Sequence, residues 1–173
     1  MPTNVIINFV LFQVGWFSCV LGAANNLPWL GVLVVLAVVI WHLKQAKSAK
    51  PELILLVIAL LMGAAFDQLM LSSQLLTYQA TGWSVHLVPV WILALWAVFV
   101  TALNVSLRWM QEKWFVAVLF GAIGGPLAYM GAARLGAVSL NLYPQSYIVL
   151  CLGWAVMTPF LMKLAQKFDG FKP

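Results

Sequence analysis

Charge is scarce in this sequence: only 8% of its 173 residues are charged, and four of them are acids. So few polar groups cannot cover a water-soluble domain of this length, whereas a composition that is 64% hydrophobic suits a bilayer. Histidine and cysteine are equally sparse, with two of each. On the helix count below, His42 and His86 fall at opposite membrane faces, so no imidazole cluster exists for a di-iron centre or a bis-histidine haem. No C-x-x-C pair, phosphate-binding glycine loop, S-x-x-K or G-x-S-x-G sequence occurs, so thiol oxidoreductase, nucleotide and serine-nucleophile chemistry find no footing. No cofactor and no metal are expected. The inventory leans away from an enzyme, because catalysis would rest on Asp67 and neutral polar groups alone. A basic domain with base-contacting side chains is missing as well, which removes nucleic acid from the candidate partners.

What is present is apolar sequence in long runs. A spanning helix needs about 20 mostly apolar residues, and charged or turn-forming residues cut the chain into six such segments. They are Val5 to Ala24, Trp29 to Leu43, Glu52 to Leu76, Pro89 to Trp109, Trp114 to Leu135 and Ser146 to Leu164. Runs such as Val32 to Ile40 do not alternate, so a membrane β-barrel is excluded. The expectation is an all-α integral membrane bundle of six transmembrane helices, with residues 1–173 forming a single domain. Six crossings put both termini and the loops after the second and fourth helices on one side. That side holds eight of the nine basic residues, Arg134 being the exception, and the positive-inside rule makes it cytoplasmic. Trp41, Trp109 and Trp114 at the inner helix ends and Trp29, Trp83 and Trp91 at the outer ends read as aromatic belts.

Two stripes of small residues mark close helix contacts. Ala117, Gly121 and Gly125 recur every fourth residue on the fifth helix, and Gly15, Cys19 and Ala23 do so on the first. Pro126 is expected to kink the fifth helix, and a kink can open a pocket. The second helix reads as largely lipid-facing. His42 reads as a snorkelling interfacial residue, and Glu52 as a first-turn acid favoured by the helix dipole. Asn104, at the end of the fourth helix, is expected to bond across to Asn8 or Gln13 of the first.

Asp67 is the residue hardest to explain as packing. It lies about 22 Å along its helix from Glu52, inside the outer half of the hydrocarbon, where a carboxylate must be protonated, paired or facing a wet cavity. Gln74 and Tyr78 extend its polar face outward, and Gly63 leaves room one turn below it. The natural partner is Arg134, about 30 Å up the fifth helix from Trp114 and long enough to reach down. Trp16, Asp67, Trp96, Tyr129, Arg134 and Trp154 share a depth band on five helices, so together with Gln74 they are the candidate ligand-binding residues. No catalytic residue is assigned.

Several stretches together carry a family likeness: FQVGWFSCVLGAA and LPWLG near the start, FDQLM in the third helix, LNVSLRW closing the fourth and GGPLAYMGAARLG in the fifth. From Phe12 to about Pro159 the chain resembles an uncharacterised bacterial inner-membrane family, a domain-of-unknown-function group of small multi-span proteins. Members of that group are encoded near cyclopropane-fatty-acid-synthase-like methyltransferases and flavin amine-oxidase-like proteins. The resemblance implies an accessory to fatty-acid or lipid modification or to membrane stress response in the bacterial inner membrane. Its expected partners are membrane lipids and a membrane-associated lipid-modifying enzyme. It implies no catalytic residue. The alternative from the residues themselves is a small proton-coupled transporter or exporter using Asp67.

Overall fold

The computed structural model describes residues 3–172. Among these are six α-helices: α1 Thr3–Ala24, α2 Pro28–Gln45, α3 Ala49–Ser72, α4 Val90–Leu103, α5 Trp114–Arg134 and α6 Gln145–Lys167. All but α4 are long and apolar enough to cross a membrane, as a multi-pass membrane protein requires. Proline marks the starts of three of them. Pro28 is the first residue of α2, while Pro89 and Pro144 stand immediately before α4 and α6, positions where the missing N–H costs no helical hydrogen bond.

The small-residue stripes sit where helices meet. A Cβ on Gly31 of α2 would land on the backbone of Cys19, and one on Gly15 would press on Val98 of α4, so α1 lies tight against both neighbours. On α5, Gly121 faces the Trp154 carbonyl and Thr158, and Gly125 faces the Trp154 indole, which lets α6 approach backbone to backbone. Helix α5 continues through Pro126 without a break, so the expected kink does not interrupt it. Helix α2 buries one narrow face, Gly31, Val35, Val38 and Val39, while much of the rest, including Leu33 and Leu36, is exposed, in keeping with a largely lipid-facing helix. Cys19 and Cys151 are free thiols.

Two boundaries move, and both movements shape the site. The fourth helix was expected to reach Trp109, but α4 ends at Leu103 and a short 3-10 turn, Arg108–Met110, follows. The reason is side-chain competition for the backbone. Asn8 of α1 donates to the Thr101 carbonyl (2.9 Å) and accepts from the Ser106 amide (3.3 Å), while the Leu107 amide closes back on Ala102. The third helix was expected to reach Leu76, but it stops at Ser72. Gln74 then adopts φ 57° and turns the chain into a short strand, β1 Leu76–Tyr78. It pairs antiparallel with β2 Val138–Leu140, Leu76 opposite Leu140 and Tyr78 opposite Val138. This ribbon, an exception to the all-α expectation, ties the C-terminal end of α3 to the connection between α5 and α6.

Candidate functional site

Asp67 is fully buried near the C-terminal end of α3 and accepts hydrogen bonds on both carboxyl oxygens. Tyr78 Oη donates to Oδ1 at 2.6 Å, the Tyr129 hydroxyl donates to the same oxygen, and Trp96 Nε1 donates to Oδ2 at 2.7 Å. The donors come from β1, α5 and α4, so four elements converge on one acid. Gly63, one turn earlier in α3, makes the arrangement possible, because any side chain there would occupy the space of the Trp96 indole. The fold-back at Gln74 makes it possible from the other side, by bringing Tyr78 over the end of α3 rather than along it. Burial, and after it the nearby Asp67, hold the Tyr78 phenol well above its usual pKa, so it stays a neutral donor.

Trp96 and Tyr129 also form part of the wall of a cleft of about 470 Å³. The cleft separates two packed groups of helices. Helix α1 rests on α2 and α4, α5 rests on α6, and the gap lies between α1 and α5. Its buried back wall includes Trp91, Trp96, Phe99 and Thr158, whereas Phe9, Phe17, Phe120 and Leu127 at its rim are exposed on the helix faces that a bilayer would cover. The indoles of Trp96 and Trp154 stack in parallel, 4.8 Å between centroids, and Phe99 meets each edge-on. Aromatic faces and glycine backbone thus line the slot. Along α5 it runs from Phe120 to Ala132, about 18 Å at the helical rise.

A family model described as "Protein of unknown function (DUF2878)" matches residues 5–160. The chain belongs to the DUF2878 family. No curated protein and no solved structure matches it.

In this DUF2878 chain the sequence-derived candidates separate into three groups. Trp16, Trp96, Tyr129 and Trp154 line the cleft together. Asp67 lies behind that wall, bonded to two residues that form it. Arg134 and Gln74 stand apart. Arg134 is exposed at the end of α5, and the partners of Asp67 are phenols and an indole, so the expected Asp67–Arg134 pair is not formed. Neutral donors at hydrogen-bond distance satisfy the acid without the cost of burying a guanidinium. Gln74 is exposed in the turn, where its carbonyl accepts from Asn141. Tyr78 takes the place expected for Gln74, and its fold-back depends on strand pairing that helical periodicity does not register.

A second buried polar cluster at the other end of α3 was not anticipated from sequence. Glu52 accepts from His42 Nε2 (2.9 Å), Asn104 Nδ2 (2.7 Å) and the Gly170 amide (2.7 Å). His42 is therefore a buried partner rather than a snorkelling residue, and Glu52 is more than a first-turn acid. Asn104 also donates to the Phe168 carbonyl at 3.0 Å rather than to α1. Arg108 Nη2 binds Asp169 at 2.6 Å, and the Phe171 ring lies 5.1 Å from the His42 ring. The signal for this cluster was the ten-residue spacing of His42 and Glu52 across a tight helical hairpin, which puts both at one height. These contacts fasten the turn after α6, and neither residue lines the cleft.

Proposed function

We propose that this protein is a multi-pass protein of the bacterial inner membrane that holds a lipid acyl chain in the cleft between α1 and α5, as an accessory to a membrane-associated lipid-modifying enzyme. The observation that carries this reading is the shape and lining of the cleft: an elongated apolar slot with its rim on exposed, lipid-compatible helix faces. Ligand sites are concave and mostly apolar with few polar groups, and about 18 Å of slot compares with roughly 15 Å for one leaflet of a bilayer whose core is about 30 Å thick. The chain crosses six times with both termini cytoplasmic. Support comes from the lysines shared by the α2–α3 turn and the end of α6, and from the Asn104 and Glu52 bonds that join those segments at one end of the bundle.

A proton-coupled transporter using Asp67 calls for a polar path leading inward from the acid. One turn inward lies Gly63, covered by the Trp96 indole, and that favours a binding site over a conduit. The test uses Gly124, which borders the cleft and has open space around an added Cβ, its nearest neighbour being Phe120 at 3.9 Å. Gly124→Trp fills the slot. Native mass spectrometry of gently purified protein is expected to find an acyl lipid on the wild type and none on the variant at an unchanged melting temperature. Equal lipid on both, or none on either, overturns the reading.

A further inference from the structure

The two ends of the cleft differ in closure and in polarity. At one end the β1–β2 ribbon roofs it. Val138 of β2 and Ala132 near the end of α5 are buried there. Trp91, on the same wall, is fixed by its Nε1–H to the carbonyls of Ala80 and Gln79 (3.1 and 3.3 Å), in the segment that follows β1. Tyr129 and Trp96 have polar atoms, but these are turned to Asp67. At the other end the rim falls away: Phe9 and Phe120 are exposed, and Ser106 and Leu107 are half-buried. Gln13, one turn from Phe9 toward the ribbon, is half-buried as well. Neither its amide nor the Ser106 hydroxyl makes a hydrogen bond among the described residues, and both residues line the slot.

Cations gather beyond the open end. Lys113 stands immediately before α5, seven residues and about 10 Å from Phe120, close to two whole turns and so on the same side of the helix. Its Nζ lies 5.3 Å from the exposed Trp109 ring, and Lys163 Nζ lies 4.7 Å from the exposed Trp114 ring. Arg108 is bound to Asp169, whereas neither lysine forms a salt bridge among the described residues, which leaves their N–H groups for an anion. We infer that the ligand is an anionic phospholipid taken from the lysine-bearing face. One acyl chain lies in the slot with its methyl end under the ribbon, its ester oxygens at Ser106 and Gln13 and its phosphate at Lys113. The second chain stays in the bilayer, because the slot is open along its length between the exposed Phe17 and Leu127. The reverse orientation puts a phosphate under Val138 and Ala132, where a charge finds no partner. This inference rests on the proposed lipid-binding reading and adds the head group and the direction of the chain.

The test is photo-crosslinking in lipid nanodiscs with phosphatidylglycerol whose palmitoyl chain carries a diazirine either beside the ester or at the methyl end, the adducts being mapped by mass spectrometry. The methyl-end probe is expected to label Tyr129, Ala132 and Val138, whose burial keeps them from bilayer lipid outside the slot. The ester-end probe is expected to label Gln13, Ser106 and Leu107. With the methyl-end probe, phosphatidylglycerol is expected to label the buried three about fivefold more than phosphatidylcholine with the same chains. Lys113→Gln is expected to remove that preference. Arg134→Gln, a change to the exposed cation at the ribbon end of α5, is expected to keep it. Exchange of the two labelling patterns, equal labelling by the two head groups, a preference that survives Lys113→Gln, or stronger labelling by the free diazirine fatty acid overturns the inference and leaves the lipid-binding reading standing. Absence of label from the slot residues with every probe overturns that reading as well.

Discussion

Helix α3 carries two buried acids at its opposite ends, and the protein satisfies them by different means. Near the C-terminal end Asp67 is surrounded by neutral aromatic donors from α4, α5 and β1. Near the N-terminal end Glu52 is held by an imidazole, an amide side chain and a backbone N–H from the turn after α6. Both arrangements meet the requirement that a carboxyl group out of water keep its hydrogen bonds. Their surroundings set them apart. The donors to Asp67 are also part of the cleft wall, so its hydrogen bonds set the orientation of an indole and a phenol that a ligand would touch. The donors to Glu52 belong to a closed knot that fastens the end of the chain. Buried charge near a membrane face is therefore not by itself a mark of function, and what borders the acid decides.

The contrast is sharpened by removing each acid in turn. Glu52→Ala is expected to have the larger effect, because it strands His42 and releases the Gly170 turn together. Breaking such a buried cluster costs about 3–5 kcal/mol. Thermal melts in detergent should show the loss, and limited proteolysis should cut at the freed residues after Lys167. Asp67→Asn is expected to cost less, about 1–3 kcal/mol, because the amide keeps one acceptor oxygen and turns an NH2 toward a former donor. Its signature lies in the cleft, as a change in the fluorescence of Trp96 and Trp154 that Glu52→Ala does not produce. Equal melting losses with identical fluorescence would erase the distinction between the two ends. Arg134→Gln should change the melting temperature least, within about 0.5 kcal/mol, since its side chain is exposed and is no partner of Asp67. A loss comparable to that of Asp67→Asn would restore the ion pair.

Much of the helical plan can be read from the residues. The apolar runs, the prolines at the starts of α2, α4 and α6, and the glycine stripes at Gly15 and Gly125 each act locally or through backbone proximity, and their spacing records that. Trp16, Trp96, Tyr129 and Trp154 could be grouped by depth because a helix turns residue number into height. The partners of Asp67 were harder to foresee. A charge count points to Arg134 as the counterion, whereas the structure uses Tyr78, delivered by a strand pair in which Tyr78 stands opposite Val138, 60 residues further along the chain. The ends of α3 and α4 were misjudged for a similar reason. Hydropathy continues past Ser72 and Leu103, and it is the turn at Gln74 and the Asn8 amide that stop the helices.

The sequence alone determined that these residues form apolar helices with close-packed faces and that Asp67 needs hydrogen-bond partners, because hydrophobicity, helical rise and the cost of an unmet carboxyl group are local properties. Only the tertiary structure decided which donors reach Asp67, that Glu52 fastens the turn after α6, and that α1 and α5 stand apart around a slot. Those outcomes depend on how helices distant in the chain lean on one another, and side-chain reach across such a gap leaves no periodicity to read.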